Sequence, residues 1–135
     1  AGAGQAVKIC NNMMLAVNMI GVAEGMTLVR ALSIDPAVLK EVSTAGSGNS
    51  WALTNYNPEP GLTEGAPANN GYKPGFAGAM MAKDTGLAIE AGASVGVPLP
   101  LGGAAAQMFR LYCKAGMGDD DMSGIIRMLK DGSAD

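Results

Sequence analysis

The chain contains no histidine. That absence excludes Ser-His-Asp and Cys-His catalysis and every histidine-ligated metal site. Only two cysteines occur, Cys10 and Cys113, with neither a CxxC pair nor zinc-type spacing. They read as buried, reduced thiols, and no metal site is expected. Aromatics make up 4% of the residues, and no run alternates Val, Ile, Thr and aromatics, so no strand is expected. Charge is sparse and mixed, with 9 basic and 12 acidic residues and a net of −3. Without a basic stripe, nucleic acid is excluded as the main partner. The apolar run at 13–23 is interrupted by Asn18 and followed by Glu24, too short and broken to span a bilayer. Residues 1–7 lack the basic start of a secretory signal. The opening AGAGQA carries no initiator methionine, as expected of a fragment or a processed start.

What is present is a hydrophobic share of 48% in 135 residues, enough for one domain with a genuine core. The pattern is helical. Residues 3–32 are rich in Ala, Met, Leu and Val and free of proline, which predicts one helix on the order of 40 Å long. Gly21 and Gly25 weaken its middle and suit close packing there. Asp35 and Pro36 predict the cap and first residue of a second helix. A short helix is predicted around 50–56, with Trp51 as a packing anchor. Residues 56–76, with four prolines and four glycines and no period, predict a long irregular segment of the kind that is functional, at an interface or disordered. Further helices are predicted at 77–95, from the prolines near 98–100 to about 115, and after Asp119–Asp121, which reads as a helix cap. The tail DGSAD should fray. The fold expected is all-α, with six or so helices and no internal repeat.

On a helical wheel, Gln5, Lys8, Asn11, Asn12 and Asn18 fall within an arc of roughly 140°. Val7, Cys10, Met14, Val17 and Gly21 lie opposite. Leu15, Met19 and Val22 share the polar arc further along, so the helix is apolar nearly all round and is expected to be central and packed on several sides. Lys8 and Asn12 stand one turn apart on one side. The bland reading is a polar, exposed helix start. The chemical reading is a cleft wall, because a lysine held beside apolar walls is disfavoured as a cation, which suits a general base near neutral pH. Met13–Met14 and Met80–Met81 read as core filler. Lys83–Asp84, being adjacent on a helix, is no salt bridge by spacing.

GAGQAVKICNNM, AEGM, YNPEPG and GFAGAMMAKDTGLA follow one another along the chain. Together they resemble the C-terminal domain of the β-hydroxyacid dehydrogenases, nearest the 3-hydroxyisobutyrate-type members, over almost the whole length. The resemblance implies an all-α domain with one long N-terminal helix, like the C-terminal domain of 6-phosphogluconate dehydrogenase. It implies that residues 1–135 form the helical catalytic and oligomerisation domain, and that the Rossmann domain that binds NAD is absent from this chain. Gly2 and Gly4 do not replace it, since no strand precedes them and the third glycine is missing. By the resemblance, Lys8 is the catalytic lysine, Asn12 binds the substrate, and Phe76, Lys83 and Asp84 belong to the cofactor side, with Phe76 near the nicotinamide, Lys83 near cofactor and substrate, and Asp84 in a supporting role. The implied activity is NAD-dependent oxidation of a small 3-hydroxy acid to its semialdehyde, as in valine catabolism, by a homo-oligomer. Its expected setting is a bacterial cytoplasm or a mitochondrial matrix. Two other readings are a non-catalytic helical dimerisation module on the same fold and a Schiff-base lysine enzyme.

Overall fold

Helix starts and stops follow local chemistry. The computed structural model describes residues 2–130, so the frayed tail expected at 131–135 lies outside the described residues. Helix α1 runs Gly2–Ala31. Helix α2, Pro36–Thr44, begins where Asp35 Oδ1 accepts from the Ala37 amide at 2.9 Å. Helix α3, Trp51–Asn55, is capped by the Ser50 hydroxyl oxygen, which accepts from the Leu53 amide at 3.1 Å. Helix α4 spans Gly78–Val95 and stops at Gly96 in the left-handed region, φ 73°. Helix α5, Pro100–Tyr112, opens on proline at its first position.

Two sequence expectations shift here. The fifth helix ends as an α-helix at Tyr112 and continues as a π turn, Cys113–Met117, broken by Gly116 at φ 92°. The last helix is a 3₁₀ helix, Met122–Met128, rather than an α-helix. Among the described residues no strand forms, and one isolated antiparallel bridge pairs Ala77 with Asp121.

Helix α1 packs against every other α-helix and against 122–128. Its buried stripe is Ala16, Met19, Ala23 and Met26. These meet Met81 of α4, Phe109 and Tyr112 of α5, and Ile125 and Ile126. Each such large side chain, fully buried, contributes roughly 1.5–3 kcal/mol. Small residues let the helices close up: a Cβ on Gly102 of α5 would stand 2.5 Å from Met13 Sδ.

Helix α1 is central and packed on several sides, as expected, but which side is covered differs from the expectation. Its packed stripe lies on the side read as the polar arc, since Met19 and Met26 share the angular sector of Lys8 and Asn12. The opposite side is bare: Val7, Met14 and Leu28 are 60–69% exposed. Which side of an almost uniformly apolar helix is covered depends on where its neighbours lie, and the wheel alone does not hold that. By length and composition α1 also passes the test for a bilayer-crossing helix, against the reading of 13–23 as too short. Its inner stripe is nevertheless committed to a protein core.

The irregular segment 56–76 is ordered and well packed, with one 3₁₀ turn, Pro67–Asn70. Asn57, Pro58, Glu59 and Tyr72 are buried. Arg30 of α1 pairs with the Glu59 carboxylate, and Lys40 of α2 donates to the Leu62 carbonyl. Three further expectations fail on exposure. Cys10 is exposed rather than buried, although both cysteines are free. Met14 and Met80 point outward at 60% and 42% exposure, while Met81 is fully buried. Trp51 is 55% exposed and stacks on Tyr56, ring centroids 5.2 Å apart, instead of anchoring the core.

Candidate active site

Helix α4 buries Met81, Asp84, Thr85, Ala88 and Gly92, a three-and-four spacing that faces α1. Asp84 is therefore a carboxylate drawn into a helix interface, 3% exposed. Asn12, on the core-facing stripe of α1, donates through Nδ2 to Asp84 Oδ2 at 2.7 Å. An ionised carboxylate only accepts, so this contact fixes which end of the Asn12 amide faces α4. Asn12 Oδ1 points the other way and accepts a longer bond, 3.2 Å, from Asn11 Nδ2. It keeps acceptor capacity for another donor. Lys8, one turn earlier, is exposed, and so is Lys83 beside Asp84. The apolar walls expected around Lys8 are not supplied by this chain.

The structure thus joins Asn12 to Asp84, 72 residues apart in sequence. Phe76 belongs to a second polar cluster. Its ring is half-buried against the core, and its amide donates to Asp121 Oδ1 at 2.9 Å. The same oxygen accepts from the Gly75 amide at 2.9 Å and the Tyr56 hydroxyl at 2.6 Å. Oδ2 accepts from the Ser123 amide at 2.9 Å and its hydroxyl at 2.6 Å. Asp121 does cap the 122–128 helix, as expected, but capping occupies only Oδ2. Burial, and next the Asp121 carboxylate, push the Tyr56 phenol far above its usual range.

Behind Asp121, Tyr112 donates to its carbonyl at 2.8 Å and accepts from Arg127 Nη2 at 2.8 Å. The Arg127 guanidinium lies 4.5 Å from the Tyr72 ring centroid. Burial raises the Tyr72 and Tyr112 phenols as well. Sequence reading missed this cluster because its bonds to Asp121 span up to 65 residues and no local pattern announces them. Beside Asn11, the exposed Trp51 lines a groove of about 430 Å³ with Met14, Leu15, Asn18 and Ala52. Among the described residues no three His, Cys, Asp or Glu side chains are grouped to hold a metal ion.

The profile of the family described as NAD-binding of NADP-dependent 3-hydroxyisobutyrate dehydrogenase matches residues 2–129. The mitochondrial 3-hydroxyisobutyrate dehydrogenase of Homo sapiens is 43% identical over 130 residues, which is 96% of this chain and 39% of that protein. The NAD-dependent L-serine dehydrogenase of Pseudomonas aeruginosa is 45% identical over 128 residues, 95% of this chain and 43% of the relative. Among solved structures, the Mycobacterium tuberculosis 3-hydroxyisobutyrate dehydrogenase with L-serine superposes with a TM-score of 0.92 at 45% identity. That match covers 96% of this chain and 44% of the other. The chain thus spans well under half the length of these relatives.

Proposed function

The chain belongs to the 3-hydroxyisobutyrate dehydrogenase family, and from that premise we propose that it is the helical, catalytic-lysine domain of an NAD-dependent dehydrogenase of small 3-hydroxy acids. In this reading Lys8 Nζ, as the neutral amine, accepts the proton of the substrate hydroxyl, and in the reverse direction returns it. The chemistry NAD would supply when bound is that of hydride acceptor for the carbon bearing that hydroxyl. Asn12 hydrogen-bonds the substrate while Asp84 holds its amide in one orientation. Phe76 and Lys83 would face the cofactor. The exposure of Lys83 and the half-burial of the Phe76 ring fit a cofactor laid against this surface.

The observation that carries the reading is the Asn12–Asp84 pair. A buried carboxylate is held by one amide, and the oxygen end of that amide, which takes only a 3.2 Å bond from Asn11, stands one turn from an exposed lysine. The names of the relatives support the substrate class, since 3-hydroxyisobutyrate and L-serine are both 3-hydroxy acids with a terminal hydroxyl. The reading assigns the dinucleotide to a Rossmann domain outside this sequence, so the isolated chain turns nothing over. It places the enzyme in valine catabolism, in a bacterial cytoplasm or a mitochondrial matrix. The bare apolar side of α1 supports a homo-oligomer.

The test is Lys8→Ala in the full-length protein. kcat should fall by about 10²–10⁴-fold with NAD binding intact. Retention of most of the activity would sink the assignment.

A further inference from the structure

Both polar backbone groups of Phe76 are tied to one short stretch: its amide donates to Asp121 Oδ1 at 2.9 Å and its carbonyl accepts from the Met122 amide at 2.8 Å. The Gly75 amide shares that oxygen, and the Asp121 amide donates to the Tyr72 carbonyl at 2.7 Å. The segment entering α4 is therefore zipped onto 120–122, and the Gly78 amide closes the zip on the Asp120 carbonyl at 2.8 Å. A carboxylate that served only as a helix cap would need one oxygen. Here Oδ1 is given over wholly to donors from elsewhere: Gly75, Phe76 and the Tyr56 hydroxyl. Tyr56 in turn stacks on the exposed Trp51. Its phenol, raised by burial and then by Asp121, stays protonated and remains a donor at any working pH.

We propose that Asp121 is a positioning residue for the cofactor side of the site, fixing Phe76 and the start of α4 against the Trp51–Tyr56 stack. The proposal rests on the dehydrogenase reading for what Phe76 faces. Asp121 touches no reacting atom. It acts by holding one turn of backbone in a single register, which a fully buried carboxylate with five donors does far more rigidly than a neutral acceptor. Lys8 and Asn12 stand on α1, outside this network, so its loosening should weaken NAD binding without disabling proton transfer.

The experiment uses the full-length protein and NAD itself. In Asp121→Asn an NH₂ must face donors on one side, and calorimetry should show about tenfold weaker NAD binding, with kcat and the KM of the hydroxy acid within about threefold. If that variant does not fold, Tyr56→Phe removes one donor while keeping the aromatic stack, and should weaken NAD binding about two- to threefold. Ser123→Ala touches only Oδ2 and should lower the melting temperature with NAD affinity unchanged. Unchanged NAD affinity in folded Asp121→Asn, or in Tyr56→Phe where the former does not fold, would overturn the proposal whatever the melting temperature does. Wild-type protein that binds NAD but oxidises neither 3-hydroxyisobutyrate nor L-serine would sink the substrate reading alone. Wild-type protein that does not bind NAD would sink both.

Discussion

Asp84 and Asp121 are hidden to the same degree, 3% and 0% exposed, yet they are furnished in opposite ways. Asp121 takes five hydrogen bonds from four residues, spread over both oxygens. Asp84 takes one side-chain bond, from an asparagine whose other end accepts only a 3.2 Å bond from Asn11. Buried charge is costly unless compensated, so full compensation marks a group that the fold depends on. Sparse compensation beside an exposed lysine marks a group kept for something that arrives later. Two parts of α4 thus divide the labour: its entry is locked onto Asp121, and Asp84 further along is held by Asn12 alone.

The comparison breaks most sharply at its saturated end. Asp121→Ala strands donors from Tyr56, Gly75, Phe76 and Ser123 around a buried site, and chemical denaturation should show a loss of about 4 kcal/mol. Next in size is an alkaline effect confined to the same end. Tyr56, Tyr72 and Tyr112 all have phenols raised above their ordinary value, first by burial. A raised acid keeps its proton longer when folded than when unfolded. The stability it gives is complete below about pH 10 and is lost as pH rises beyond that. Melting temperature against pH should bend downward there, and less so in Tyr56→Phe. A third change probes the open end: Asp84→Ala should cost about 1 kcal/mol in stability but about tenfold in kcat/KM of the full-length enzyme, because Asn12 loses its orientation. A stability loss there as large as that of Asp121→Ala would erase the distinction. The smallest effect is expected for Asn11→Ala, whose 3.2 Å exposed bond to Asn12 should be worth less than about 0.5 kcal/mol.

Local chemistry was readable in advance. Asp35 and Pro36 announce α2, and the prolines near 98–100 announce α5, because caps and punctuators act within a few residues. Lys8 and Asn12 could be paired by spacing alone. The Asn12–Asp84 and Asp121 contacts could not, since they join residues 72 and up to 65 apart and depend on how helices meet. The same limit misplaced Trp51, Met14 and Cys10: an apolar side chain carries no mark of whether a neighbour will cover it. Asp121 was read as a cap because its sequence neighbours show only that part of its work.

The unequal setting of the two thiols has a practical consequence. Cys10 is exposed and stands two residues after Lys8, whereas Cys113 is partly covered and its thiol is pushed up by burial and by Asp119. Because the thiolate is the reacting form, a maleimide dye at limiting dose should modify Cys10 of this chain first. A fluorophore there would stand on the side of α1 opposite Lys8, among the exposed Val7 and Met14, and become an optical reporter of whatever covers that apolar side.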